Sequence, residues 1–470
     1  MNVLAPLRRG PAVPARRVEA DLVVLGVEVA LVAAAVAVGL LLNARGVGLH
    51  ADAAPLYASW RPHLGWGTPA ALLVAAGVLG WGVRWARTAG WGRLLVAAYL
   101  AAVGWTMSLA LVDGWSAGFT RRLTAQAEYL HEVPRVTDIT AMLAGFSARI
   151  LDFQPDAWST HTAGHPPGAL LVFVGLDRIG LGGPTLAALA CVLVGATVTV
   201  WVPVTLRALG AGEAARSVLP FLVLLPGAIW VGVSADGIFA GVVAAGLALL
   251  AVRGLVAAAV GGLLLGFALY LSYGFVLVGI LALAVGLLRP QQRWPALFVA
   301  LVGAGTVVAT FTLAGFWWLD GYHLVVERYH QGWAADRPYG YWVWANVAAL
   351  LLCGGPVLGP ALRRTALAAA GPARAVATRW RGPDRAAGLT GPDALRGTGP
   401  TVLLPLAAVL AVGAADLSGL SKAEVERIWL PFVAWLLVAA AHLPPPAQRV
   451  WLAGQVVTAL AVSHLLWTVS

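Results

Sequence analysis

Charged residues are scarce in this 470-residue chain: Asp, Glu, Lys and Arg make up 11% of it, while 60% is hydrophobic. An ordinary soluble domain carries charge on about a quarter of its residues, so the composition excludes that class. Lysine is almost absent, because Lys422 is the single lysine among the 31 Lys and Arg residues. The net charge of +10 is therefore carried by arginine.

Cysteine is equally rare. Cys191 and Cys353 lie in separate apolar segments without a CxxC pattern, which is typical of packing residues and not of a disulfide or metal pair. The chain also lacks an internal repeat and a glycine-rich nucleotide loop. Residues 1–20 contain arginines but no apolar core before the first span, so no cleaved signal peptide is expected.

Long apolar runs fill the rest of the chain, whose mean hydropathy is +0.82. Runs of about 17 to 25 residues cross a bilayer as helices, and the alternation expected of a barrel is missing. We therefore predict an all-α polytopic membrane protein with about thirteen transmembrane helices. The predicted spans are 22–43, 68–85, 93–113, 184–207, 216–233, 237–252, 254–271, 275–288, 294–317, 341–359, 401–416, 428–443 and 449–468.

Arginine sets the predicted orientation. It is concentrated in the N-terminal tail and in the loops 84–93, 207–216, 289–293 and 363–396, which the positive-inside rule assigns to the cytoplasm. These positions indicate a plasma-membrane protein with no nucleic-acid partner. The loop that follows the third span then faces outward. Residues 168–182 would invert every later loop if they crossed, so we predict an interfacial helix there.

The predicted organisation follows from these assignments. A cytoplasmic tail covers residues 1–21, and two accessory transmembrane helices cover 22–92. The transmembrane core spans 93–359 and includes an outer loop, 113–183, with interfacial helices. The segment 360–400 lacks an apolar period and is predicted to be a flexible cytoplasmic loop. Residues 401–470 form the C-terminal transmembrane helices.

Two groups of acids in the outer loop could carry chemistry. Asp113 ends the third span, where a partly desolvated carboxylate can act as a general base, or can simply mark the water interface. Further on, Glu128, Tyr129, His131 and Glu132 form a cluster. If this segment is helical, Glu128 and Glu132 share one face. The cluster would then be a metal or sugar-hydroxyl site, or a solvated helix face.

His161 and His165 stand in the motif HTAGHPPG. Proline is tolerated in the first turn of a helix, so Pro166 and Pro167 place His165 at a helix entrance in the outer loop. A neutral imidazole there can bind a metal, and a cationic one can contact phosphate. Either histidine could instead satisfy a backbone carbonyl.

Two further residues stand at predicted outer turns. Asp236 follows a tight turn between apolar helices, where an unpaired buried carboxylate would be costly. Arg427 begins a late span with Lys422, Glu424 and Glu426 nearby. Arginine can hold a phosphate bidentately. An ordinary interfacial ion-pair cluster is the alternative.

Together these motifs resemble the GT-C type of membrane glycosyltransferase, in a pattern related to mannosyl-, arabinosyl- and aminoarabinosyltransferases. That pattern has an acid after an early span, a His-Pro-Pro motif, a second outer acid and a late Glu-Arg motif. The matching residues here are Asp113, His165-Pro166-Pro167-Gly168, Asp236 and Glu426-Arg427, all within residues 93–443.

The resemblance implies transfer of a sugar from a polyprenyl-phosphate donor to a glycan, lipid or protein acceptor at the extracytoplasmic face. The implied catalytic residues are Asp113, Glu128 and Asp236, and the implied substrate-binding residues are His161, His165, Tyr129, Lys422, Glu426 and Arg427. The family often has two adjacent acids where this chain reads Asp113-Gly114. This departure leaves open whether Asp113 or Glu128 is the base, and whether a divalent metal takes part.

Two other function classes stay open at this point. One is a transporter or flippase for a lipid-linked or anionic substrate, although such proteins favour paired halves and ionisable residues near mid-membrane. The other is a non-catalytic membrane scaffold.

Overall fold

The structure, a computed structural model, describes residues 15–232, 234–380 and 399–468, and it is almost entirely helical. Within these ranges six helices are long and apolar enough to cross a membrane. They are Val18–Ala44, Gly67–Thr88, Trp91–Ala110, Pro184–Ala208, Arg293–Leu313 and Pro400–Leu417. An all-α membrane protein is therefore confirmed.

The described ranges contain fewer helices of full spanning length than the number of predicted spans. The number of candidate spans rises from six to seven if one bent pair of helices is counted as a single span. This pair is Tyr339–Gly354 and Leu358–Ala370. The other apolar helices in the described ranges are shorter: Asp236–Ala251, Leu255–Leu269, Tyr273–Leu288 and Leu430–His442. All of them coincide with predicted spans, but the total of about thirteen crossings is not confirmed. The remaining helices include Gly212–Val223, Ala228–Val231, Trp318–Gln331, Val425–Ile428 and Gln448–Leu465.

Small residues allow close helix packing in the core. Gly262 and Gly266 of helix Leu255–Leu269 lie against Ala300 and Ala304 of helix Arg293–Leu313, where an added Cβ would meet backbone atoms. Such close contacts between small residues are typical of helix packing in membranes. Cys191 and Cys353 are both free and buried, as expected of packing residues.

The outer loop is built from short turns. Helical turns of three to six residues cover Trp115–Thr120, Arg122–Thr124, Tyr129–His131 and Val133–Arg135. Helices Ile139–Gly145 and Thr160–Gly164 follow, and helix Pro167–Arg178 then starts at the predicted proline.

The predicted helical face joining Glu128 to Glu132 is wrong, because the backbone at Glu128 is extended. Glu132 accepts a hydrogen bond from the amide of Ser159 (2.9 Å) and pairs with Arg135 (2.9 Å). His131 is exposed. Glu128 and Glu132 therefore contact different parts of the loop.

The predicted flexible segment 360–400 is helical in its first half. Helix Leu358–Trp380 occupies that part, and residues 381–398 lie outside the described ranges. Asp21, near the start of the first helix, pairs with Arg363 (2.9 Å) and Arg364 (2.6 Å). The first helix therefore begins beside the arginines of this segment, which agrees with their predicted placement on one side.

Two short strands join distant parts of the chain. Ala58–Trp60 pairs antiparallel with Leu466–Thr468, and Ser59 lies opposite Trp467. The first strand lies in the segment 45–66 between the first two long helices, and the second follows helix Gln448–Leu465. This pairing holds the segment 45–66 against the outer loop and the C-terminal end.

Candidate functional site

Arg427 is the centre of a buried ion-pair network. It lies in the short helix Val425–Ile428 and is 6% exposed. Its Nη1 donates to Oδ2 of Asp236 (3.0 Å), and its Nη2 donates to Oε2 of Glu424 (2.6 Å). Asp236 starts helix Asp236–Ala251 and is 4% exposed. One guanidinium group therefore binds two carboxylates from segments far apart in the chain.

A histidine extends this network to the outer loop. His161 Nδ1 lies 3.0 Å from Oε1 of Glu128, and its Nε2 lies 3.4 Å from Nη2 of Arg427. Because Arg427 can only donate, we assign the proton to Nδ1, where it faces the carboxylate. His161 then links Glu128 to Arg427 as a neutral ring. Glu128, His161, Asp236, Glu424 and Arg427 are referred to below as the Arg427 network.

Electrostatics keeps the network charged despite its burial. Burial raises the pKa of Glu128, but His161, Arg427 and His165 outweigh this and hold it below the ordinary value. Burial also raises the pKa of Glu424, but the nearby Arg427 and Arg337 lower it by more. The pKa of Glu424 therefore lies below its ordinary value. Burial lowers the pKa of Arg427, whereas its acidic neighbours raise it well above the ordinary value. Glu128 and Glu424 are therefore ionised at neutral pH.

The backbone at Glu424 is strained. Ala423 and Glu424 both have a positive φ, 68° and 62°, in the left-handed region that side chains rarely adopt. Two partners hold this conformation, since Ala423 N donates to Oδ1 of Asn346 (3.3 Å) and Arg337 pairs with Glu424 (3.5 Å). The strained turn directs the Glu424 carboxylate at Arg427.

Tyr129 and His165 form an aromatic layer beside the network. The Tyr129 ring stacks on Phe173 (5.3 Å between centroids) and meets His165 edge-on (5.8 Å). His165 Nδ1 lies 2.9 Å from the carbonyl of His161 and so donates to it. Burial lowers the pKa of His165 to about 4, so its ring is neutral at pH 7. A neutral ring favours the uncharged alternatives that the sequence left open for His165 over a cationic contact to phosphate.

Lys422 is engaged with backbone. Its Nζ donates to the carbonyls of Ala335 (2.9 Å) and Arg337 (2.8 Å). The Arg337 side chain donates in turn to the carbonyl of Lys422 (2.5 Å) and to that of Leu49 (3.2 Å). These bonds tie the segments 45–66, 332–338 and 418–427 together, so in this structure Lys422 acts as an anchor between loops.

Glu426 points away from Arg427. Its Oε1 accepts a hydrogen bond from the amide of Tyr57 (2.9 Å), while its Oε2 is buried and has no hydrogen-bond partner among the described residues. Burial raises the pKa of Glu426 to about 7. Of the predicted Glu-Arg motif, only Arg427 belongs to the network.

Asp113 lies in a separate set of contacts. Its Oδ1 is 2.6 Å from Nε2 of His63, and its Oδ2 accepts from Nη2 of Arg122 (2.8 Å). His63 Nδ1 also lies 2.7 Å from the carbonyl of Arg61, so both ring nitrogens face acceptors. Each tautomer of His63 carries one N–H, so the ring donates to at least one of these two acceptors. His63, Asp113 and Arg122 are referred to below as the Asp113 group.

The structure therefore brings together Glu128, His161, Asp236 and Arg427, with Tyr129 and His165 packed beside them. Sequence reasoning missed His63, Arg122 and Arg337, and it passed over Tyr57. The sequence did contain a signal that could have found His63. The segment 45–66 joins two predicted spans and contains the polar residues His50, Asp52, Arg61 and His63. This polarity marks it as a second loop at the same end of the protein as the loop 113–183.

A resident metal has no preassembled ligand set in the part of the chain that the structure describes. Within those ranges no three His, Cys, Asp or Glu side chains are grouped so that they could hold a metal ion. The participation of a divalent ion stays a prediction. Comparison of the chain with protein-family models, with curated proteins and with solved structures finds no match. The functional conclusion therefore depends on the geometry and on the motif pattern.

Proposed function

We propose that the protein is a membrane glycosyltransferase of the GT-C type, acting at the extracytoplasmic face of the plasma membrane. The donor is a polyprenyl-phosphate sugar, and the acceptor is a hydroxyl of a cell-envelope glycan, lipid or protein. One observation carries the proposal. Glu128, His161, Asp236 and Arg427 come from four separate segments and meet in one buried network.

The proposed reaction is a displacement at the anomeric carbon of the donor sugar. The acceptor oxygen forms a bond to that carbon, the bond from the carbon to the phosphate oxygen breaks, and polyprenyl phosphate leaves with the electron pair. The acceptor proton passes to a carboxylate that acts as general base. The reaction needs a base beside a cationic group that stabilises the leaving phosphate.

Glu128 and Asp236 are better placed than Asp113 to be that base. Within the described residues, each of them uses one carboxylate oxygen in a side-chain ion pair and keeps the other without a hydrogen bond. Both oxygens of Asp113 are engaged, by His63 and by Arg122. We therefore assign proton transfer to Glu128 or Asp236, and we assign Asp113 to positioning the outer loop.

Arg427 is the proposed contact to the leaving phosphate. Its two terminal nitrogens are bound to carboxylates, but its Nε is buried and has no hydrogen-bond partner among the described residues. A buried donor without a partner is costly. A phosphate oxygen or an acceptor hydroxyl would satisfy it.

The first test identifies the donor and then measures transfer. Mass spectrometry of lipids that copurify with the protein should show a polyprenyl phosphate or its sugar derivative. With that lipid as substrate, Asp236→Asn should reduce transfer by about 10²-fold or more, as expected for loss of a general base or its charge.

Asp320→Asn is the matched control for this test, because Asp320 is exposed and lies in another helix, Trp318–Gln331. Full transfer by a folded Asp236→Asn variant would remove Asp236 from the mechanism. A copurifying lipid without a polyprenyl chain, together with no transfer from any polyprenyl-phosphate sugar, would overturn the function itself.

A second candidate, a carrier for a lipid-linked substrate, is favoured by two interrupted helices that touch. One break separates helix Gly212–Val223 from Ala228–Val231, and the other separates Tyr339–Gly354 from Leu358–Trp380. They meet where Gly227 N donates to the carbonyl of Cys353 (2.8 Å). Discontinuous helices often line transport sites. Counterflow in proteoliposomes without a covalent product would favour this candidate.

A further inference from the structure

A cavity of about 580 Å³ lies at the end of the molecule opposite the Arg427 network. Its walls are the C-terminal ends of helices Pro184–Ala208 and Asp236–Ala251, together with the segment 289–291 and Trp91. A second cavity of about 550 Å³ adjoins it and shares Trp91 and Arg207. The two cavities form one recess at the ends of apolar helices.

Four arginines surround this recess. Arg289 is 2% exposed and donates to the carbonyls of Gln291 (3.0 Å), Gly254 (3.1 Å) and Leu250. Arg216 donates to the carbonyls of Ala86 (2.8 Å) and Ala89 (2.9 Å). These two guanidinium groups are fixed by backbone, so their positive charge is held in the wall whether or not a ligand is present.

The other two arginines of the recess are Arg207 and Arg253, whose guanidinium groups can adjust to a ligand. Both are exposed, and neither forms an ion pair within the described residues. The Arg207 guanidinium lies over the Trp91 ring, 4.6 Å from its centroid, which keeps its fork at the rim of both cavities. Two charged forks therefore face the recess without an acidic partner.

The recess has a strong excess of positive charge. Among the residues that line the two cavities, Glu213 is the one acid. Arginines in short membrane-protein loops usually extend into solvent and serve only to set orientation. Here they converge on a walled recess at the boundary between apolar helices and polar loops, where basic pockets between helices bind anionic headgroups.

We propose that this recess binds the phosphate of an anionic phospholipid headgroup. Arg207 and Arg253 would contact the phosphate oxygens, since guanidinium forks match phosphate geometry. Arg289 and Arg216 would supply fixed positive potential. The site is independent of the proposed sugar transfer, because it lies at the other end of the molecule and shares no residue with the Arg427 network.

The test measures lipid binding to the delipidated, detergent-purified full-length protein by native mass spectrometry. Phosphatidylglycerol is titrated against phosphatidylcholine, and inorganic phosphate is titrated separately by thermal shift. The double variant Arg207→Gln/Arg253→Gln should bind phosphatidylglycerol about tenfold more weakly or worse, because two basic contacts are lost. Arg84→Gln/Arg93→Gln is the matched control, since both arginines are exposed at the same end but do not line the recess.

Equal weakening in the two double variants would overturn the proposal, as would equal affinity for the two lipids. If inorganic phosphate stabilises the protein in an Arg207- and Arg253-dependent manner while phosphatidylglycerol does not bind, the site takes a soluble phosphate and the lipid assignment is wrong. Should the double variant fail to fold, Arg253→Gln alone decides the question. Arg253 is exposed and forms no ion pair in the described part of the chain, so this variant should fold and bind several-fold more weakly.

Discussion

The Asp113 group and the Arg427 network use the same three kinds of side chain in different order. In the first, the carboxylate of Asp113 lies between His63 and Arg122, and both of its oxygens are occupied. In the second, His161 lies between Glu128 and Arg427. A carboxylate bound by two side chains has both oxygens engaged, whereas a carboxylate at the end of a chain of contacts keeps one oxygen free. Connectivity, more than composition, therefore decides which acid can accept a proton.

The largest expected effect is a loss of stability, which should be greater for the Arg427 network than for the Asp113 group. Arg427→Gln leaves Asp236 buried without its cation and leaves Glu424 with Arg337 as its remaining cation, and breaking such a buried pair costs about 3–5 kcal/mol. Arg122→Gln removes one of the two side chains that bind Asp113, which still contacts His63, so we expect a loss of roughly half that size. Thermal unfolding in detergent measures both variants. Equal losses would show that the two sets are energetically alike.

Activity gives the next contrast. Glu128→Gln should lower sugar transfer by about 10²-fold or more if Glu128 is the base or fixes His161. Asp113→Asn should lower it by less than about tenfold, because Asp113 has no free oxygen to take a proton. Both rates are measured at saturating donor with folded protein, and the exposed Glu327 supplies Glu327→Gln as a control. A larger loss in Asp113→Asn would reverse the assignment of the base.

The smallest expected effect concerns a carboxylate that has no cation partner. Glu426 adjoins the network, but burial raises its pKa from 4.5 to about 7. Below pH 4.5 it is protonated in both the folded and unfolded chains. As the pH rises to about 7 the unfolded chain loses this proton first, so the folded protein loses stability, by at most about 3 kcal/mol.

Glu426→Gln should remove this part of the pH dependence. We expect the variant to gain thermal stability relative to the wild type between pH 4.5 and 7, and to run parallel to it above that window. Glu327→Gln, at an exposed position, should follow the wild type throughout. Parallel curves for Glu426→Gln and wild type across the whole range would mean that Glu426 is not protonated in the folded protein.

The helices were largely predictable because an apolar run of spanning length has few alternatives in a bilayer. The start at Pro167 was predictable as well, since proline fits the first turn and disfavours any earlier one. Local composition is sufficient for such features. Local composition did not predict helix Leu358–Trp380, because its sequence is rich in Ala and Arg and has little apolar character.

The site was only partly predictable. Asp236 and Arg427 were selected because an ionisable residue beside an apolar helix is costly unless paired, yet their partners depend on tertiary contacts. Glu128 pairs with His161 because the loop turns there into an extended conformation, which the spacing of Glu128 and Glu132 does not show. His63 and Asp113 meet through tertiary contacts, among them the pairing with a distant strand that helps to hold the segment 45–66 in place.

The pairing of Ala58–Trp60 with Leu466–Thr468 has a consequence for biosynthesis. The first strand is translated well before its partner, because the helices between the two strands are translated in the interval. The segment that carries His63 therefore lacks its strand partner until residues 466–468 have been made. Arg122, which donates to Thr468 (2.6 Å), gains that contact at the same point. Nascent chains stalled before residue 466 would therefore lack both the strand pairing and the contact from Arg122 to Thr468.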